Sequence, residues 1–250
     1  MIWLLVVVSL AVGTLIGAVG VGGILLIPAL NLLGGLPIHQ AMATALFSFI
    51  FTGIVGTWLF QRRGSIDWGV TVPVCLGSAF FGFLGAWANS KINAPVLSLI
   101  LALVIAFAGI YTLSSNDRSS HAPLQGRPRV RQALLIAIGA VAGFGSGLTG
   151  VGGPALSVPI MVLFQFSPLT AIGASQVIQI IAAVSGTVGN LQYGSIDFRI
   201  AALVALFEVL GVYFGVRIVH AVNAQSLRRF VGGLCILVGT GLTVRVVASW

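Results

Sequence analysis

Long apolar runs separated by short polar connections leave this chain few folds to adopt. Runs of spanning or near-spanning length occur at 2–19, 39–60, 69–89 and 95–113, and again at 133–149, 169–191, 199–219 and 228–247. A helix needs about 20 such residues to cross a bilayer, so eight crossings fit. Only 6% of the residues are charged and 58% are hydrophobic, whereas a soluble domain carries about 25% charge. Too little charge remains to cover a water-facing surface. The sequence predicts an all-α polytopic membrane helix bundle and excludes an ordinary soluble enzyme, a disordered chain and a disulfide-rich secreted domain.

Two shorter apolar pieces, 24–34 and 154–166, follow the first run of each set and read as half-helices. The second set repeats the first at an offset of 130 residues: GVGG at 20–23 returns at 150–153, Gly56-Thr57 as Gly186-Thr187, GSID at 64–67 as GSID at 194–197, and Asn93-Ala94 as Asn223-Ala224. Internal repeats are a common plan in secondary transporters. The expected organisation is a first transmembrane repeat over 1–113, a cytoplasmic linker over 114–131 and a second repeat over 132–250. Each repeat has about four transmembrane helices, the first of them broken at GVGG. The N-terminal run has no basic segment before it and reads as a span, not a cleaved signal.

The net charge of +8 comes from 12 basic residues placed mostly in the connections. Cytoplasmic loops are enriched in Lys and Arg, so topology explains these residues and nucleic acid does not. With each first run and its half-helix taken as one crossing, Arg62, Arg63, Arg118, Arg127, Arg129, Arg131, Arg199 and Arg245 share one side. Lys91, Arg217, Arg228 and Arg229 share the other, eight against four. This places both termini and the linker in the cytoplasm. Five crossings per half also segregate the charges, nine against three, and make the repeats inverted. The four-plus-four arrangement is favoured because 11 residues at about 1.5 Å per residue fall well short of a bilayer.

Glycine is a poor helix former, so the GVGG segments favour unwound backbone at Gly20, Gly22 and Gly23 and at Gly150, Gly152 and Gly153. Such backbone is tolerated at membrane depth only where protein or a water-filled cavity satisfies it. A half-helix beginning there presents unpaired N–H groups and the positive end of its dipole, which suits an anion. Close helix packing is the competing explanation, and it is the better one for Gly13/Gly17, Gly139/Gly143/Gly147 and Gly211/Gly215, which have small-xxx-small spacing. The GSGLTG string at 145–150 follows a membrane helix, not a strand, so it is no dinucleotide fingerprint.

Gln176 and Gln179 share a helical face beside Ser175, where the first half has Leu46 and Phe49. Buried glutamines either line a cavity or bond another helix. Thr44 and Ser48 form a smaller polar face, which also fits hydroxyls bonding back to their own helix. Glu208 is the one acid deep in an apolar run; intramembrane carboxylates are functional candidates, and it is either a proton-coupling group or a neutral acid bonded within the bundle. Asp67 and Asp197, in the repeated GSID, suit helix capping. The three histidines are scattered and the two cysteines lie in apolar runs, which predicts no metal site, no cofactor and no enzyme.

The duplicated Gly-rich segment, the P-x-x-x-A from Pro37 to Ala41, the P-x-x-A from Pro168 to Ala171 and the repeated GSID resemble the TauE/SafE family of sulfite and organosulfonate exporters. Ile24 and Pro154 stand where the family pattern often has a further glycine. The resemblance implies export of a small sulfur anion across the bacterial inner membrane. The expected mechanism is alternating access, with the anion held by Gly20, Gly22, Gly23, Gly150, Gly152 and Gly153 and by Thr44, Ser48, Gln176 and Gln179, and with Glu208 coupling a proton. An anion channel and an exporter of another small anion are the alternatives. A homo-oligomer is compatible with the sequence.

Overall fold

The computed structural model describes residues 2–20, 22–114, 128–164 and 166–218, with scattered positions between 233 and 244. Nine α-helices cover the continuous part: α1 (Ile2–Val19), α2 (Leu26–Leu32), α3 (Ile38–Arg62), α4 (Trp68–Asn89), α5 (Ala94–Ser114), α6 (Pro128–Thr149), α7 (Pro154–Leu163), α8 (Pro168–Tyr193) and α9 (Phe198–Ile218). A single 3-10 turn, Gly22–Leu25, links α1 to α2. Among the described residues five helices, α3, α4, α6, α8 and α9, are long and apolar enough to cross a membrane. The chain is therefore a polytopic membrane helix bundle. The eighth apolar run, 228–247, lies almost wholly outside the described residues. So does most of the 114–131 linker, although Pro128–Arg131 already belong to α6.

Large apolar side chains cover the outside of the bundle, among them Trp3, Leu76, Phe80, Leu103 and Leu206. An exposed apolar surface of this extent has hydrocarbon for its solvent. Arg62 stacks over the Trp58 ring at 3.9 Å and Arg217 over the Tyr213 ring at 4.3 Å. Such cation–π pairs suit the edge of the bilayer, where aromatic rings concentrate and basic groups reach water.

Glycine contacts fix the direction of each helix. A Cβ at Gly13 would strike the Glu208 backbone and one at Gly17 the Val212 backbone, so α1 and α9 run the same way. Gly143 faces Ser78 and Gly147 faces Gly82, so α6 and α4 also run together. Gly53 lies against Ile180 and Gly56 against Gln176, which sets α3 against α8. Gly82 lies against Ala182 and Ser185, and Gly189 against Ala86, so α4 follows α8. Phe47 meets Phe198 with ring centroids 5.3 Å apart, and Arg63 Nη1 donates to the Val216 carbonyl at 3.1 Å, so α3 follows α9. Helices α1, α3 and α9 thus point one way, and α4, α6 and α8 the other.

This departs from the four-plus-four expectation. Because α1 and α3 are parallel, the 3-10 turn, α2 and residues 33–37 carry the chain back along the bundle. The interruption after Val19 and the piece that follows it are packed inside the bundle: Gly20, Gly23, Ile24, Leu26 and Ile27 are all buried. It also follows that α1 and α6 begin at opposite ends of the bundle.

Candidate functional site

Helix α1 ends at Val19, and Gly20 then takes φ +79°, in the left-handed region that a side chain disfavours. Gly150 and Gly152, after the end of α6, have φ +70° and +85°. Both turns are thus built on conformations that glycine supplies without strain. Pro154 opens α7 at the position where its missing N–H and fixed φ cost nothing. Before it, the backbone N–H groups of Val151, Gly152 and Gly153 have no hydrogen-bond acceptor among the described residues, whereas Gly150 N–H bonds Ser146 and the Gly153 carbonyl accepts from Leu156 and Ser157. Buried amides are nearly always paired, so three consecutive amides without an acceptor among the described residues, next to a helix start, stand out in this part of the bundle.

The two Gly-rich segments meet. Ile16, Gly20, Gly23, Phe49, Val151, Pro154, Ala155 and Gln179 line one space between them, closed too tightly for a water molecule. No lining side chain is charged. Gln179 Nε2 donates to the Phe49 carbonyl at 3.1 Å and to Thr52 Oγ1 at 2.6 Å, which fixes its amide against α3.

Of the residues expected from sequence, Gly20, Gly23 and Gln179 line this space directly. Gly152 lies against the Phe49 ring and Gly153 against the Gln179 backbone, while Gly22 begins the 3-10 turn. Gly150 packs on the Met42 backbone. Thr44 Oγ1 accepts the Asp197 N–H at 3.1 Å, tying α3 to the loop before α9. Gln176 is fully buried against Gly56, and neither of its amide atoms has a partner among the described residues.

Ser48 joins a separate group. Its hydroxyl lies 2.8 Å from the Ala45 carbonyl and 2.8 Å from Glu208 Oε2, and the other Glu208 oxygen has no partner among the described residues. Asp67 and Asp197 are caps: Asp67 accepts from the N–H of Gly69 and Val70, and Asp197 from those of Arg199 and Ile200. No three His, Cys, Asp or Glu side chains gather in a metal-binding group among the described residues.

Phe49, Thr52, Ile16 and Ala155 are the site residues that sequence reasoning missed. For Phe49 a signal existed, because it stands opposite Gln179 in the repeat.

The family described as "Sulfite exporter TauE/SafE" matches residues 5–242. The chain is 26% identical over 233 residues to "Probable membrane transporter protein YdhB" of Bacillus subtilis, covering 90% of this chain and 93% of that protein. It is 28% identical over 245 residues to "Probable membrane transporter protein YunE" of the same organism, covering 89% and 88%. A probable membrane transporter of Methanocaldococcus jannaschii, MJ0441, is 26% identical over 246 residues, covering 90% and 89%. No solved structure matches. With a match across nearly its whole length and a bundle of membrane-spanning helices, the chain belongs to the sulfite exporter TauE/SafE family of membrane transporters.

Proposed function

We propose that this transporter exports a small sulfur-containing anion, sulfite or a short organosulfonate, by alternating access across the bacterial inner membrane. The observation that carries this reading is the run of backbone amides at Val151, Gly152 and Gly153 that have no acceptor among the described residues. It sits beside an uncharged lining to which the first Gly-rich segment also contributes. Backbone dipoles favour an anion without the tight hold of a buried cation, which suits a cargo that must be released. Glu208, fully buried in α9, is the group we assign to proton coupling.

The reading includes a duplication with inverted halves, each interrupted at GVGG. Its support is that contacts recur 130 residues apart. Gly13 meets Glu208 as Gly143 meets Ser78, and Gly215 meets Thr14 and Ala18 as Gly85 meets Phe144 and Leu148. With five crossings per half, nine basic residues lie on the linker side and three opposite. The positive-inside rule then puts the linker in the cytoplasm and the N-terminus outside. Reporter fusions at the N-terminus and within the linker test this; the same side for both overturns it.

The functional test is counterflow of labelled sulfite in proteoliposomes containing the purified protein, with sulfate, a short sulfonate and an organic acid as competitors. Saturable flux blocked by the sulfonate supports the reading. An unsaturated current indicates a channel, and no competition by any sulfur anion removes the assigned cargo.

A further inference from the structure

Phe49 is fully buried, and its ring occupies the gap between the two Gly-rich segments. A Cβ at Gly23 would stand 2.8 Å from the tip of the ring, and one at Gly152 would stand 3.1 Å from its edge. Glycine on both sides is thus what lets a phenyl group enter. In the other half the equivalent position, 130 residues on, is Gln179, whose amide bonds the Phe49 carbonyl. The same place in the repeat therefore supplies a polar clamp from one half and an apolar filler from the other.

We propose that Phe49 is the plug of the anion site and sets the size of the cargo: its ring fills the space the anion takes, and transport requires the ring to swing out. The inference rests on the anion-exporter reading and deepens it. Three features carry it. With the ring in place the lining admits no water, so this is a closed form of the site. The amides of Val151, Gly152 and Gly153 lack acceptors among the described residues in that form, as donors do when their ligand's place is taken by a group that cannot accept. A phenyl group is also bulkier than sulfite, so its withdrawal leaves room for the ion and for a short sulfonate tail. The backbone of Phe49 stays anchored by Gln179, which confines the motion to the side chain.

Two readouts separate this inference from the cargo assignment. In a background carrying Cys75→Ala and Cys235→Ala, Ala155→Cys places a thiol in the lining, and an anionic methanethiosulfonate reagent reports its access. Phe49→Ala is expected to raise the labelling rate at least tenfold; Phe49→Leu, which keeps more bulk for folding, is expected to raise it less. Labelling at the same rate in all three backgrounds overturns the plug. In proteoliposomes Phe49→Ala is expected to lower the discrimination between sulfite and a bulky aryl sulfonate at least tenfold, and unchanged discrimination overturns the size-setting role. If labelling accelerates while no sulfur anion moves through wild type or variant, the plug stands and the cargo reading fails. If sulfite moves while labelling and discrimination stay constant, the cargo reading stands and the plug fails.

Discussion

Gln179 Nε2 donates to the carbonyl of Phe49 at 3.1 Å, although the two residues are 130 positions apart and hold the same place in the repeated sequence. One bond thus joins α8 to α3 at the level of the Gly-rich segments, and the partner atom is backbone, which no substitution on α3 removes. Replacing Gln179 by Leu deletes this bond and the one to Thr52. Interhelical hydrogen bonds in membranes are worth about 0.6–2 kcal/mol. Gln179→Leu is therefore expected to lose about 1–2 kcal/mol in detergent unfolding and at least tenfold in sulfite counterflow. Normal flux would remove Gln179 from the site.

Gln176 is expected to behave in the opposite way. Its equivalent, Leu46, packs its side chain on Gly186, and Gln176 packs on Gly56, but the glutamine buries two amide atoms without a partner among the described residues. An unpaired buried polar group costs about 1–3 kcal/mol. Gln176→Leu should unfold at a higher temperature than wild type while transporting at least tenfold more slowly. Stabilisation with full flux would make the amide dispensable for transport.

The glycine stripes of α1 and α6 should be intolerant of bulk. A Cβ at Gly143 would stand 2.6 Å from the Ser78 Cα, and overpacking of this kind costs about 1–3 kcal/mol. Gly143→Ala is expected to lower stability by about 2 kcal/mol. Gly35→Ala is the control for backbone strain alone, since Gly35 has φ +69° and open space around it; a left-handed residue costs about 1–2 kcal/mol. Equal losses in oligomer-free detergent unfolding would mean that close helix approach adds nothing.

Asp67→Ala and Asp197→Ala should each cost about 0.5–2 kcal/mol, the ordinary loss of an N-cap. Counterflow per folded molecule should be unchanged. A large fall in flux at unchanged stability would give the repeated GSID a part in transport that capping does not explain.

Glu208→Gln keeps a group of the same shape beside Ser48 and removes the titratable one. Uphill sulfite movement driven by an imposed proton gradient is expected to disappear, while counterflow, which needs no net proton movement, continues. Gradient-driven transport that survives in the variant would take coupling away from Glu208.

Much of the fold was legible because it is compositional. Apolar runs near bilayer length can only be helices, and glycine clusters can only interrupt or closely approach them. The number of crossings was not legible, since length alone made the piece at 24–34 too short to return the chain, and the depth at which α1 stops is a property of its neighbours. Gly20, Gly23 and Gln179 stood out as polar or flexible exceptions in apolar surroundings. Phe49 was marked only by its place opposite Gln179 in the repeat, because a phenylalanine in a membrane helix has the same signature whether it faces lipid, core or a binding site. Thr44 and Ser48 look alike in sequence, yet one is spent on the Asp197 amide and the other on Glu208.

The pairing of α1 with α9 and of α4 with α6 also bears on how the chain is made. During synthesis α1 enters the bilayer with Gly13 and Gly17 bare, and the helix that seals them is not complete until Ile218 has emerged. Until then its glycine face must be shielded by lipid or by the insertion machinery. A nascent chain cut anywhere before α9 leaves the Gly13 and Gly17 face of α1 without the helix that covers it.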